Sequence, residues 1–394
     1  MRRHQKAISA PHGICMLPET GRLLLLAGFL LGIICSGNHA RAADFYRMGE
    51  DYRSLSMGNT GIVTANNSSA LFYNPAALSN VFSWWIDFPM IQITYSKDAE
   101  ELYDTLKDGL ALEDQEDQFE FMEDNIGKNP YLKVNAGING VANLDPKGFT
   151  IGGNYTYELI ADIAVRNQSA PEIVAYERLD HIRQAGLSYP FGLGKLVLGF
   201  GYRQVDRTEL AFTYDFIDAT NEESFPKLLD DGSSGTASGY DIGFLYRTAT
   251  AAHIIWGAVY RSEVTFDKEG VSDIPSQLDL GIGFRQDGMV FRWISALDIR
   301  DVTRQLGSDD EDSGDKSWYR WIHVGTEVGI LPIDKTTTFF SIRAGYNAGY
   351  PTYGLEIALA RYMVIGYTQY TEETGEYAGQ KPSERKAVYL SLGF

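Results

Sequence analysis

Alternation with a period of two runs through most of the chain. In Leu278-Asp279-Leu280-Gly281-Ile282-Gly283-Phe284-Arg285 every even position is apolar and every odd one is charged or Gly. Tyr240, Ile242, Phe244 and Tyr246 oppose Asp241, Gly243 and Arg247 in the same way. So do Leu196, Leu198, Phe200 and Tyr202 against Lys195, Gly199, Gly201 and Arg203, Ile322, Val324 and Val328 against His323, Gly325 and Glu327, and Tyr353, Leu355, Ile357 and Leu359 against Gly354, Glu356 and Ala358. A two-residue period places alternate side chains on opposite faces of a strand. It fits a soluble sandwich, whose outer face is wet, as well as a membrane barrel. Three features favour the barrel. Many polar-face positions are Gly or Ala, which suits a crowded lumen. Aromatic residues such as Tyr202, Tyr246, Tyr260 and Tyr367 gather near segment ends, as interfacial girdles do. The segments are also long, roughly 10 to 20 residues, where tilted membrane strands need about 9–11 and soluble strands average about 5–6.

Turn chemistry divides the chain into fourteen segments: 84–95, 130–144, 148–166, 171–189, 194–215, 236–249, 251–264, 274–286, 288–302, 317–330, 335–348, 350–360, 361–372 and 384–394. Their connections alternate short (145–147, 190–193, Thr250, Asp287, 331–334, near Ala360) and long (96–129, 216–235, 265–273, 303–316, 373–383). Short turns at one end and long loops at the other, with an even strand count, are the outer-membrane pattern. Val388, Leu390, Leu392 and Phe394 alternate to a terminal Phe, resembling the last-strand signal of barrel assembly. The expected fold is all-β: a transmembrane antiparallel β-barrel of about fourteen strands spanning residues 83–394.

The first 42 residues read as a signal peptide. Twelve apolar residues from Leu23 to Ile34 follow Arg2, Arg3, Lys6 and Arg22 and precede Ala40-Arg41-Ala42, an A-x-A cleavage pattern, and twelve are too few to span a bilayer. The long positive region makes Met16 a candidate start. The chain carries 34 Lys+Arg against 52 Asp+Glu, a net charge of −18. Cleavage after Ala42 removes five basic and one acidic residue, leaving 29 against 51, or −22. That sign argues against nucleic acid as a partner. Cys15 and Cys35 both lie in the leader, so the mature chain has no disulfide, and a closed barrel needs none.

Residues 43–82 lack barrel alternation and are rich in Gly, Asn and small side chains. The stretch Ser56-Met57-Gly58-Asn59-Thr60-Gly61 to Asn66-Asn67-Ser68-Ser69-Ala70-Leu71-Phe72-Tyr73-Asn74-Pro75-Ala76-Ala77-Leu78 resembles the N-terminal hatch of the FadL/TodX outer-membrane transport proteins and of the related PorV/PorQ-type proteins. The resemblance implies a fourteen-stranded barrel whose lumen this segment plugs, with Gly58, Asn59, Asn74, Pro75 and Ala76 in the hatch motif. FadL-like members take up hydrophobic compounds and release them sideways through the wall. PorV-like members serve protein secretion, and the fold alone does not separate the two. The chain is shorter than typical fatty-acid transporters and has its longest insertion in the first outer loop.

Candidate chemistry is sparse. Leu102, Leu106 and Leu110, then Phe119, Met122 and Ile126, in the acidic first loop suggest amphipathic helices capping the mouth. Ser308 to Lys316 (SDDEDSGDK) faintly resembles a calcium loop, but Arg320 stands where the bidentate Glu belongs, so a solvated acidic loop is expected rather than a metal site, with loose divalent cations bridging it to lipopolysaccharide as its one further use. Parity points Arg203, Asp241, Arg247, Asp279, Arg285, Arg292, Asp298, Glu327, Arg343 and Glu356 into the lumen, where pairing is the plain expectation. Arg203 and Arg343 are candidates to hold a ligand carboxylate, and Leu71, Phe72 and Tyr73 to line an apolar pocket. His181, His253 and His323 fall on separate strands with no HExxH or GxSxG, so no catalytic residue and no cofactor is expected.

The expected function is an outer-membrane channel for passive uptake of a hydrophobic small molecule, long-chain fatty acid or hydrocarbon-like, gated by the hatch and surrounded by outer-membrane lipid and lipopolysaccharide. The alternative is a PorV/PorQ-like scaffold engaging a secreted or envelope protein. A general porin comes third, since a plug stoppers an aqueous channel. A continuous apolar cavity favours transport; a polar, filled lumen favours the scaffold.

Overall fold

The computed structural model describes residues 48–101, 123–144, 148–166, 172–192, 194–215, 226–248, 253–303, 321–359, 362–373 and 382–393. The leader and its cleavage site, the helical spacing at 102–122, the acidic run at 308–316 and Phe394 lie outside them.

Fourteen strands form one closed antiparallel barrel: β1 (Trp84–Ser96), β2 (Tyr131–Asn143), β3 (Thr150–Arg166), β4 (Glu172–Phe191), β5 (Leu196–Asp215), β6 (Ser233–Arg247), β7 (Ile254–Arg261), β8 (Gln277–Asp287), β9 (Phe291–Ile299), β10 (Ile322–Pro332), β11 (Thr338–Asn347), β12 (Tyr350–Leu359), β13 (Met363–Glu373) and β14 (Pro382–Gly393). Each strand pairs with its sequence neighbours, and β1 closes on β14 through Ile93↔Val388 and Tyr95↔Lys386. Closure removes every sheet edge, so the wall satisfies its own backbone groups, as a bilayer demands.

The alternation has its expected cause. On the outer face Leu198, Phe200, Ile242, Leu355, Ile357 and Ile365 are exposed. Tyr202, Tyr240 and Tyr260 end this apolar band towards the long loops, and Phe191, Tyr246, Trp256 and Tyr362 end it towards the chain ends. An apolar belt between two aromatic girdles matches a bilayer's profile. The two ends of the barrel are called here the loop end and the termini end.

One connection departs from the expected alternation of lengths. β11 and β12, joined at the loop end, are linked by only Ala348 and Gly349, both at positive φ (45° and 110°), a two-residue hairpin rather than a long loop. The wall is also uneven in height: β4 and β5 run 20 residues each, whereas β7 has 8. In β1 the register to both neighbours slips by one residue between Asp87 and Met90, a bulge containing Pro89, which has no amide hydrogen to give the ladder.

Residues 48–83 run across the lumen. They contain α1 (Tyr52–Ser56), α2 (Ala70–Tyr73) and a 3₁₀ turn (Pro75–Asn80). α1 lies against β11–β14 and the 3₁₀ turn against β3–β6, so the segment touches both sides of the barrel. Inward glycines permit this. A Cβ on Gly325 would sit 2.0 Å from the Met57 carbonyl oxygen, and one on Gly199 would sit 2.1 Å from the Ala76 nitrogen. These lumen positions are glycine because backbone packs directly on backbone there.

Candidate functional site

The inner segment is anchored on one flank by buried charge. Asp51 caps α1, its carboxylate accepting from the Ser54 amide at 3.3 Å. The turn directs Arg53 at β10, where Nε and Nη2 donate to the two carboxylate oxygens of Glu327 at 2.8 and 3.1 Å, and Nη1 donates to the Thr64 carbonyl at 3.0 Å. Glu327 also accepts from Arg343 at 2.5 Å, Arg343 donates to Glu356 at 2.7 Å, and Glu356 accepts from the Tyr52 hydroxyl. Arg53, Glu327 and Arg343 are each at most 5% exposed, so the ladder is withdrawn from bulk solvent. In such surroundings each charge is tolerable only because it has partners.

The opposite flank is held through the expected motif. Asn74 donates its amide to the carbonyls of Ile62 (3.0 Å) and Phe244 (3.3 Å), and its side-chain oxygen accepts from the Ala76 amide at 3.0 Å. Pro75-Ala76 then presses on Gly199 and Gly243. Gly58 and Asn59 form a left-handed corner (φ 67° and 62°). The Gly58 amide donates to Thr352 at 2.9 Å, and Asn59 accepts from the Tyr73 hydroxyl at 2.8 Å. His323, inward at the start of β10 rather than at mid-strand, lies 3.0 Å through Nδ1 from the Gly58 carbonyl. Asp298 accepts from the amides of Gly61 and Ile62 at 2.8 and 3.0 Å.

The candidate ligand residues do not converge on one place. Leu71, Phe72 and Arg203 line a pocket at the loop end, together with Met48, Arg261 and Arg300. Arg343 lines a different pocket at the termini end, with Tyr52, Arg53 and Glu327. Tyr73 is buried with its hydroxyl on Asn59 and its ring under Arg300. In the loop-end pocket three arginines face two carboxylates. Arg203 pairs Asp241 at 2.6 Å, Arg261 pairs Asp279, and Arg300 lies 3.8 Å from Asp279. Pairing thus accounts for most lumen charges, as expected. Arg261 has the inward parity of β7, and Arg300 shares the parity of Arg292 and Asp298 in segment 288–302, so alternation was the signal that could have found both; Arg53 carries none.

Most titratable groups here belong to the wall, but Asp51 lies in the inner segment. Burial pushes its carboxyl up to about 6 from an ordinary value near 3.8, against the pull of Arg53 and Arg343. A raised carboxyl favours the protonated folded form, so the charged form weakens the segment increasingly from about pH 4 and fully above about pH 6. Asp51→Asn keeps a capping side chain and removes that charge. It should stabilise the segment by about 1–3 kcal/mol at pH 7.5 and leave it unchanged below pH 4. Hydrogen exchange of the 54–57 amides across that range checks this; equal protection at both pH values would refute it.

With 14 strands closed around an N-terminal segment, the chain superposes on solved channel structures. The Ralstonia pickettii toluene transporter TbuX matches with a TM-score of 0.54 at 12% identity, covering 89% of this chain and 99% of that one. The P. putida toluene transporter TodX matches at 0.52 and 12%, with the same coverage. The fold is that of the FadL/TodX-type channels. No protein-family model matches the chain, and no curated protein matches it in sequence. At this identity the FadL/TodX likeness is one of architecture, and function rests on the lumen itself.

Proposed function

We propose that the protein is an outer-membrane channel for passive uptake of hydrophobic small molecules, with the termini end in the periplasm and residues 48–83 as the gating hatch. The observation that carries this reading is the loop-end pocket, whose apolar side (Met48, Leu71, Phe72, Ile274, Pro275) is built largely by the inner segment itself. A ligand seated there touches the element that has to move. Binding draws on apolar burial, about 25 cal/mol per Å². The toluene transporters TbuX and TodX share the architecture. Sideways release would use the bulge at Asp87–Met90, where the β1 ladder is interrupted on both sides.

A second reading, a PorV/PorQ-like scaffold for a secreted or envelope protein, is favoured by the ion-pair ladder, which makes the lumen polar and filled rather than continuously apolar. Mass spectrometry of organic extracts from protein purified in mild detergent separates the two. A stoichiometric lipophile, lost when 66–78 are deleted, is expected for the channel. No lipophile and a co-purifying protein would replace it with the scaffold.

A further inference from the structure

Three small pockets lie around the inner segment between the two ends of the barrel. The first opens at the termini end between the β10–β11 turn and Arg343; the second lies between the inner segment and β1–β2; the third is the loop-end pocket. The first two share Asn67 and Tyr389 as walls, and the last two share Phe72. Neighbouring pockets therefore meet at shared side chains.

All three contain buried polar atoms that no protein group satisfies among the described residues. They are Arg343 Nη1 in the first, Glu50 Oε1, Gln92 Nε2 and Asn139 Oδ1 in the second, and Gln184 Oε1 and Arg203 Nε in the third. These side chains are all at least nine-tenths buried. Left dry, each such atom would cost about 1–3 kcal/mol, whereas a water in a polar gap typically makes two to four hydrogen bonds. Away from these pockets the contact is tight: Pro75-Ala76 presses on Gly199 and Gly243 with no gap between backbones. The middle pocket is lined by Glu50 and Asp51 and by no basic side chain. Lys133 reaches Glu50, but through Oε2, the oxygen opposite the unsatisfied one.

The geometry points to a hydrated seam around the inner segment that conducts water and small cations, its acidic middle section at β1–β2 setting the sign between arginine-lined ends whose charges are paired with carboxylates, and narrowed at Asn67–Tyr389 and at Phe72. It is a second permeation function, too polar for hydrophobic cargo, and it operates with the segment in place. It does not depend on the uptake reading.

The full protein in a planar bilayer under a KCl gradient should show a small conductance with a reversal potential displaced towards that of K⁺. Asn67→Trp, at the narrow point, should abolish it. Cys15 and Cys35 both lie in the expected leader, so Asn139→Cys supplies a unique thiol in the mature chain. A small cationic methanethiosulfonate should modify that variant in the folded barrel and lower its conductance. The seam is refuted by a bilayer no more conductive than lipid alone, by a conductance that Asn67→Trp leaves intact, or by Asn139→Cys reacting only after denaturation.

Discussion

Deleting Asn66 to Leu78 should leave a barrel that still folds but leaks small hydrophilic solutes. The wall's hydrogen-bonded ladder runs only from strand to strand, so removing thirteen lumen residues breaks none of its pairings. What is lost is the seal: Asn74 on the Phe244 carbonyl, Pro75-Ala76 on Gly199 and Gly243, and Leu71 and Leu78 on Gly186 and Gly152. The glycine belt that accommodates the segment has no side chains with which to close the opening afterwards. Liposome swelling with a small sugar reads the result, expected to change from tight to freely permeable, while heat-modifiable migration on a gel confirms the folded wall. Equal tightness before and after deletion would show that residues 66–78 are not the stopper.

The wall was legible because its two faces meet different surroundings, and that difference is written at every second residue. Leu278 to Arg285 shows it: Leu280 meets the outside, while Gly281 and Gly283 meet Ile62 and Val63 of the inner segment. Even the crowding was visible as Gly at lumen positions, although what filled the space was not. Parity placed Arg203 and Arg343 inward correctly but could not show that they serve different pockets, since that depends on height along the barrel and on what lies between. The turn at Ala348-Gly349 was legible as the break between segments 335–348 and 350–360, although so short a connection departs from the long ones at the same end. Arg53 gave no signal at all. It lies in an aperiodic segment, and its partner Glu327 is 274 positions away, a pairing only the closed fold creates.

That pairing carries the second large effect. Arg53→Ala leaves Glu327 buried with Arg343 as its remaining basic partner, and Arg343 is already shared with Glu356. Breaking a buried pair from one side typically costs about 3–5 kcal/mol. Because α1 has only five residues and little cohesion of its own, the loss should fall on the inner segment rather than on the wall. Exchange protection of amides 52–64 should therefore collapse while the barrel's melting temperature hardly moves. Arg53→Lys should recover only part of the protection, since an ammonium cannot reproduce the two-pronged contact with both Glu327 oxygens. Glu327→Gln should be at least as damaging as Arg53→Ala, because Glu327 serves two guanidiniums. Combined with Arg53→Ala it should fall short of the sum by about 1–3 kcal/mol, the coupling expected of groups in one network. Additive losses, or a barrel that melts in step with the segment, would mean that Arg53 anchors the fold as a whole and that the lumen has no separately movable part. A gate needs that independence, because an element that opens only when the wall unfolds cannot admit a ligand and reclose.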